Sequence, residues 1–404
     1  MRCKGCYESG YLRENATYCL YLSKIETIIS EINTEHMLEI VDPNNFEEER
    51  LQRLANNIKD WGESLGFQQV AIVKPNLDEA SQRLRLWLDK SYQGSMSWMS
   101  EHGDKRYKVE KLLPRTLRVI SVRMDYLADE NMVAVLKDDN KAYISRYALG
   151  RDYHKLIRKR LAELSKKIEQ SLPELNLSQR PFVDSAPVME KPLAEQAGLG
   201  WIGKNSLLIN NKAGSWFFLG EVYTSLPLPV DNLEQPNRCG NCRACLKICP
   251  TDAFPEPYVL DARKCISYQT IENKESIPEY LRPLMGNRVF GCDDCQIICP
   301  WNRGAPKTNE IDFSPRHNLD NSELLTLFKW NETEFLSNTE GSPIRRIGYQ
   351  RWLRNLAVGL GNAEGSEDIL KELEATAPRV SPLAKEHIDW AIDQQRQKLV
   401  SIAE

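Results

Sequence analysis

Residues 239–250 read Cys239-Gly-Asn-Cys242-Arg-Ala-Cys245-Leu-Lys-Ile-Cys249-Pro250, and this C-x2-C-x2-C-x3-C-P spacing organises everything around it. Three thiolates on one tight loop reach three iron corners of a cubane, while the proline turns the fourth cysteine toward a neighbouring cluster. A second set, Cys265, Cys292, Cys295 and Cys299, again ends in a proline, Pro300. The sets are therefore expected to cross. Cys239, Cys242, Cys245 and Cys299 are assigned to one 4Fe–4S cluster, and Cys249, Cys265, Cys292 and Cys295 to the other. Structural zinc also uses closely spaced cysteines, but it has no need of two cysteine-proline ends at matching offsets. Two clusters in one small region make a wire for single electrons.

The rest of the chain is far larger than such a wire requires. Its 404 residues are 41% hydrophobic and 27% charged, enough for several domains with their own cores. No apolar run approaches the ~20 residues that span a bilayer, so no membrane association is expected. The amino terminus lacks the basic-then-apolar pattern of a secretory signal, which points to the cytoplasm. There thiols stay reduced, and eleven cysteines read as metal ligands rather than a disulfide framework. A net charge of −4 excludes a chain-wide electrostatic surface for nucleic acid, so any such binding must be local.

Residues 1–45 hold Cys3, Cys6 and Cys19 without a fourth local partner and read as an extension of unknown role, closed by DPNN at Asp42 to Asn45 as a break. From Glu47, apolar Leu51, Leu54, Ile58, Trp61 and Leu65 recur at helical spacing before Gly66 and the strand-like run Gln69 to Val73. Further strands are expected at Leu117 to Val122, Ser206 to Ile209 and Trp216 to Tyr223, and a long helix at Tyr153 to Ile168. This alternation predicts an α/β domain over 46–230. A proline-rich polar linker at Leu226 to Asn237 leads into the cysteine domain, 231–307. Beyond Lys307 strand signals vanish, and short helices at Leu324 to Phe328, Arg351 to Gly359, Ile369 to Leu373 and Ala384 to Ile392 predict a helical domain over 308–404.

Several strings are more specific than the cysteines: HGDKRYKVEKLLPRTLRVISVRMDYL, ISRYALGRDYHKLIRKR, FVDSAPVMEKPLAEQAGLGWIGKNSLLIN and GSWFFLGE, together with Cys265-Ile-Ser-Tyr. On these the chain resembles the epoxyqueuosine reductases, from about Glu47 to its carboxyl end. The resemblance implies an α+β multi-domain fold: a cobalamin-binding α/β domain, a bacterial ferredoxin-like two-cluster domain and a carboxyl-terminal domain of HEAT-like helical repeats. It implies reduction of epoxyqueuosine to queuosine at the wobble position of tRNA by cob(I)alamin, fed by two 4Fe–4S clusters. A tRNA carrying epoxyqueuosine and a small redox donor such as flavodoxin or ferredoxin go with it; a monomer is expected because no coiled coil or strongly apolar surface helix appears. Residues 1–45 have no counterpart in the family pattern. Asp152-Tyr-His154-Lys-Leu-Ile157 nearly spells the DxHxxG of many cobalamin proteins, but Ile157 replaces its glycine, and His154 is not expected to bind cobalt.

By the same resemblance Asp184, after the strand-like run ending in Phe182-Val183, is the proton donor and a cobalamin contact, since an opening epoxide puts negative charge on oxygen that an acid of raised pKa would neutralise. Taken alone, an aspartate before Ser-Ala-Pro reads as a turn or helix cap. Arg106, Arg146, Asn205 and Ser206 are further cobalamin candidates, and Gly198, Gly200 and Gly203 permit close approach to a flat ring. For tRNA, Arg345, Arg346, Arg351 and Arg354 lie in an acid-free stretch with Tyr349 and Trp352 between them, as phosphate pairing and base stacking require. A second basic run holds Arg151, Lys155, Arg158, Lys159 and Arg160. For either run the plain alternative is a solvated helix face. The competing readings are a cobalamin-dependent reductive dehalogenase-like enzyme acting on a small molecule, a pure electron-transfer module, and an RNA-binding redox sensor.

Overall fold

The computed structural model describes residues 43–128, 131–231 and 235–403, and the chain divides into two compact units, Met1–Glu49 and Arg50–Glu404. Cys3, Cys6 and Cys19 lie outside the described residues. Helix α1 spans Pro43–Ser64. The expected break at DPNN gives way to helix because proline is tolerated in a first turn, where its missing N–H has no intrahelical partner to lose.

Four strands, β1 (Gln69–Val73), β2 (Arg118–Asp125), β3 (Gln179–Phe182) and β4 (Phe217–Thr224), form one sheet in the spatial order β1-β2-β4-β3. Every pairing is antiparallel. The domain mixes helices and strands as expected, but with every pairing antiparallel the crevice rule for parallel sheets does not apply to it. Pro181 sits in β3, an edge strand, which is where a residue without an N–H is tolerated. The expected strand at Ser206 shrinks to Leu208–Ile209, since Ser206 takes a φ of 60° in the turn of a small hairpin with Trp201–Ile202.

Alternation along the strands sends side chains to two different cores. On one face Ile72, Ile120, Val122, Phe218 and Val222 meet α1 and α2 (Tyr153–Ser171), whose Ile157, Leu161, Leu164 and Ile168 are wholly buried and contribute roughly 1.5–3 kcal/mol each. Gly220 lets α2 lie close to β4, for a β-carbon there would stand 2.9 Å from Leu161 Cδ1. On the other face Val73, Val119, Phe182 and Tyr223 meet α3 (Glu190–Gln196) through Leu193 and Ala194.

The cysteine block is tied to this sheet domain by a short parallel pairing of Tyr143–Ile144 with Arg288–Phe290. Short helices Ala244–Ile248 and Asp294–Ile297 follow its two cysteine loops. Beyond Phe290 no described residue is in a strand. The tail holds the expected helix Leu324–Phe328, then α4 (Gly348–Asn362), α5 (Glu367–Thr376) and α6 (Pro382–Ala403), each longer than its apolar pattern alone. Val289 and Phe290 share one core with Trp352, Leu356, Leu373 and Ile388, so the cysteine block and the helical tail are packed as one body. No helix among the described residues is long and apolar enough to cross a membrane.

Candidate functional site

The amino terminus of α2 and the loop after β3 meet at one end of the sheet. Asp152 caps α2 by accepting from the His154 N–H at 3.0 Å, and that turn delivers Tyr153 and His154 side by side. The Tyr153 ring is stacked on Phe218 of β4, with centroids 3.9 Å apart, and on His154 at 4.2 Å. Its hydroxyl donates to Asp184 Oδ2 at 2.5 Å. The His154 ring lies between two carboxylates, with Nδ1 2.7 Å from Asp152 Oδ1 and Nε2 3.0 Å from Asp184 Oδ2. A ring flanked by acceptors on both nitrogens must donate from both, which makes it an imidazolium. Burial opposes that charge, but the hydrogen bonds to the two carboxylates win and lift His154 to about 9. Both ring nitrogens are thus engaged within the protein.

Asp184 adopts a left-handed φ of 41°, a conformation that aspartate tolerates better than most residues, and its backbone N–H donates to Glu190 Oε1 at 2.6 Å. Burial pushes its carboxyl up, yet the hydrogen bonds from His154 and Tyr153 outweigh burial and hold it below the usual carboxylate range. The side chain is 50% exposed although protein crowds it closely enough to desolvate it, the signature of a concave surface. At neutral pH Asp184 is thus a carboxylate with its proton stored on His154, and not the raised acid of the sequence reading. Glu190, pushed up to about 8 by burial and by Asp184, stands directly behind it.

From this concavity a short path leads to the cysteines. Lys191, next to Glu190 on α3, donates to the Ser206 carbonyl at 2.8 Å, and the neighbouring Asn205 donates to the Cys295 carbonyl at 3.2 Å. Cys239, Cys242, Cys245 and Cys299 line a single cavity of about 40 Å³ together with Asn205, Ile209 and Trp301. Burial and then the three companion thiols push Cys245 up to about 11. Cys265, Cys245 and Cys249 are electrostatic neighbours of Cys295, which burial raises well above the ordinary thiol value. The Cys292 thiol donates to Asp294 Oδ2 at 2.7 Å. The eight cysteines form no disulfides. The Trp201 indole N–H, buried against Cys299 and Ile209, has no acceptor among the described residues. An all-thiol donor set and an unmet N–H beside it suit a sulfur-rich cluster.

Other expectations need correction. Arg354 is fully buried and spends its guanidinium on the carbonyls of Gln269, Asn273 and Glu275 and on the Asn355 side chain, so it reaches no phosphate. Arg351 donates to the carbonyls of Ile271, Arg346 and Ile347, and Trp352 lies in the core rather than offering a stacking face. Arg345 and Arg346 remain exposed, and Arg346 feels the charge of Asp184. Arg146 is buried, over the Tyr143 ring and donating to Asn131 Oδ1 at 2.8 Å. Arg106 is buried over Trp98 and donates to its carbonyl at 3.0 Å. Gly200 and Gly203 serve the small hairpin, since β-carbons there would strike the Ile209 carbonyl and Ile209 Cδ1; Gly198 has a φ of 77° just after α3. The sequence reading missed Tyr153, Glu190 and Glu221. For Glu221 a signal existed: in Phe217-Phe-Leu-Gly-Glu-Val-Tyr223 it takes the same strand phase as Phe217, Leu219 and Tyr223.

A family model described as 4Fe-4S double cluster binding domain matches residues 238–302, and one described as Epoxyqueuosine reductase QueG, DUF1730 matches residues 106–185. The chain is 60% identical over 341 residues to the epoxyqueuosine reductase of Pseudomonas aeruginosa, covering 84% of this chain and 94% of that protein. It is 57% identical over 349 residues to that of Escherichia coli, covering 86% and 91%. A solved epoxyqueuosine reductase from Streptococcus thermophilus aligns at a TM-score of 0.76 and 25% identity, covering 85% of this chain and 90% of that one. An epoxyqueuosine reductase solved with an epoxyqueuosine-modified tRNA stem loop aligns at 0.74 and 24%, covering 85% and 99%.

Proposed function

Because the chain belongs to the epoxyqueuosine reductase family, we propose that it reduces the epoxide of epoxyqueuosine in tRNA to the alkene of queuosine. Two carbon–oxygen bonds break, one carbon–carbon double bond forms, two electrons and two protons are taken up, and the oxygen leaves as water. The observation that carries this reading is Asp184, held between Tyr153 and His154 in a concavity whose rim leads, through Lys191–Ser206 and Asn205–Cys295, to the cysteine cavity.

The donor set fits two clusters in the crossed pairing. Cys239, Cys242, Cys245 and Cys299 hold one, and Cys249, Cys265, Cys292 and Cys295 the other. Exposed Cys242 gives the first cluster an outward edge for a small redox donor such as flavodoxin or ferredoxin. The Asp184 concavity suits cobalamin, with Asp184 and Ser206 as the residues that would hold it; Asn205, Arg106 and Arg146 are buried and already committed within the protein. Cobalamin, when bound, supplies a strongly nucleophilic reduced metal for opening the carbon–oxygen bond. The chain's own residues handle protons. Covering the concavity deepens the desolvation that already opposes charge on Asp184, so the carboxylate takes the proton from His154 Nε2 and passes it to the oxygen as negative charge develops there. Asp152 stays on Nδ1 and keeps the ring aimed.

Arg345 and Arg346 are the candidate tRNA contacts, both exposed, and Arg346 lies within the field of Asp184. The tail after residue 308 serves as a HEAT-like helical platform, and the protein works as a cytoplasmic monomer. The dehalogenase-like alternative is not favoured, since the curated relatives at 57–60% identity are all epoxyqueuosine reductases. The test is anaerobic turnover of epoxyqueuosine-containing tRNA by protein reconstituted with iron, sulfide and cobalamin, with nucleosides read by mass spectrometry. Queuosine from the wild type and little from Asp184→Asn supports the reading; corrinoid and clusters bound with the tRNA unchanged overturns it.

A further inference from the structure

Glu221 sits in the middle of the central strand β4, wholly buried, in register with Ser121 on β2 and Phe182 on β3. Neither of its carboxyl oxygens has a hydrogen-bond partner among the described residues. An ionised carboxylate left so would cost several kcal/mol, and a native core does not hold one without a reason. The neighbour that resolves it is Glu190 on α3, whose side chain lies within hydrogen-bonding reach. Two ionised carboxylates offer each other only acceptors. A proton kept between them turns that repulsion into a hydrogen bond through one Glu221 oxygen, and the Ser121 hydroxyl across the β2–β4 pairing is in reach of the same carboxyl.

The other oxygen of Glu190 has its own partner, the backbone N–H of Asp184. We propose that Glu190 and Glu221 form a proton-sharing carboxylic pair that positions Asp184: the shared proton keeps half-buried Glu190 against Glu221, and Glu190 in turn holds the left-handed Asp184 beside His154. This rests on the reading of Asp184 as the acid that delivers a proton to substrate. Glu190 and Glu221 are positioning residues, since they act through Asp184.

The surroundings set the pH range. Facing the pair are Asp184 from the loop, Tyr153 and His154 from α2, Lys191 from α3 itself, Ser121 from β2 and Tyr223 from β4, with the Arg123–Asp125 ion pair farther along β2. Burial, then Glu190, raises Glu221 well above the ordinary carboxylate value, while Glu190 is pushed up to about 8. The pair therefore stays protonated through neutral pH and first ionises near 8. Near 8 Glu190 gives up the first proton, and the proton left on Glu221 is then the one the two carboxyls share, so Glu190 stays in place while the new charge bears on Asp184.

The test has two arms on the full chain. In protein free of cobalamin, infrared difference spectra across a titration from about pH 6 to about pH 10 should show a buried carboxylic-acid C=O band that weakens in a step near pH 8, a step that is absent in Glu190→Gln, and the band should change frequency in Glu221→Gln. In the loaded enzyme, Glu190→Ala should lower kcat about 30-fold with KM for tRNA unchanged, because the tether is lost while the tRNA contacts are not. Glu190→Gln keeps an acceptor for the Asp184 N–H, so it should recover about tenfold of that loss and shift the alkaline limb of the pH profile upward. Absence of the band overturns the pair. Glu190→Gln as inactive as Glu190→Ala overturns the positioning role, because then the proton itself and not the tether is required. A wild type that shows the band but leaves the tRNA unreduced counts against the proposed function and leaves the pair standing.

Discussion

Arg354 in the helical tail and Glu221 in the central strand are both charged by type, both fully buried, and neither has an ion-pair partner among the described residues. Their surroundings are opposites. Every N–H of the Arg354 guanidinium is used: Nε on Asn355 Oδ1, one terminal nitrogen on the carbonyls of Asn273 and Glu275, the other on Gln269 and Asn355. Asn355 then donates to the carbonyls of Thr270 and Val289. This node ties α4 to the segment between the cysteine sets, and its needs are met within the fold. Glu221 and Glu190 escape each other's repulsion only if a proton is kept between them. A satisfied interior charge marks a structural joint; an unsatisfied one marks a place where a proton or a ligand completes the chemistry.

The contrast is sharpest if the two regions are struck separately. Asp184→Asn should lower turnover about 1,000-fold, near 4 kcal/mol in the barrier, while shifting stability by less than about 0.5 kcal/mol. Asparagine accepts the left-handed φ as readily as aspartate and remains half exposed. Thermal melts and turnover on the same preparation check this, and a melting loss comparable to the activity loss would make Asp184 a structural residue after all.

Arg354→Met should do the reverse. Methionine fills much of the volume but leaves the carbonyls of Gln269, Asn273 and Glu275 without donors, a destabilisation of about 3 kcal/mol. Urea unfolding reads this directly. The fraction that remains folded should retain normal turnover, because Arg354 lies in the interior and touches no candidate substrate contact.

Acid tests the same node through His387, also wholly buried and close to Arg354 and Arg282. Its Nε2 accepts from the Ile277 N–H at 3.0 Å, so the ring is neutral, with Nδ1–H donating to the Leu383 carbonyl at 2.8 Å. Burial first, then the two arginines, depress its pKa to about 4. Unfolded, the ring binds a proton near 6.5, so between those values the unfolded chain carries the extra proton and stability falls as pH falls. The contribution is complete above about 6.5, is down by about 2 kcal/mol near pH 5, and levels off below about 4. His387→Gln should flatten that limb. His154 runs the other way: its raised value means its contribution is lost as pH climbs toward 9, and only at the open site.

These two histidines also show what the sequence made legible. Cysteine spacing could be read because cluster ligation is local in the chain, and the helices of the tail because their apolar periods were clean. The arginine row Arg345 to Arg354 was misread because charge was weighed and phase was not. In Trp352-Leu-Arg-Asn-Leu-Ala-Val-Gly-Leu360 apolar residues run almost all round the helix, which marks a buried helix whatever its charges. The Asp184 site was found through family strings, since nothing local announces that Asp152, Tyr153, His154, Asp184, Glu190 and Glu221 will meet. That meeting depends on the β4–β3 register and on the closeness that Gly220 gives α2.

The smallest effect separates the ends of that arginine row. Arg346 is 60% exposed at its side chain, pairs with Glu272 and lies within the field of Asp184. Removing an exposed charge costs the fold little, because Arg346–Glu272 is a surface pair of about 0–1 kcal/mol. If Arg346 meets a phosphate near the modified nucleoside, Arg346→Ala should raise KM for tRNA about fivefold, near 1 kcal/mol, leave kcat within about twofold, and reduce the salt dependence of binding by roughly one phosphate contact. Arg351→Ala, whose guanidinium already serves three carbonyls, should leave that salt dependence unchanged and lower the melting temperature instead. If both variants lost stability and neither altered the salt slope, the tRNA face would have to be sought elsewhere, and the second basic run, Lys155 and Arg158 on the exposed side of α2 beside Ser185, would be next to try.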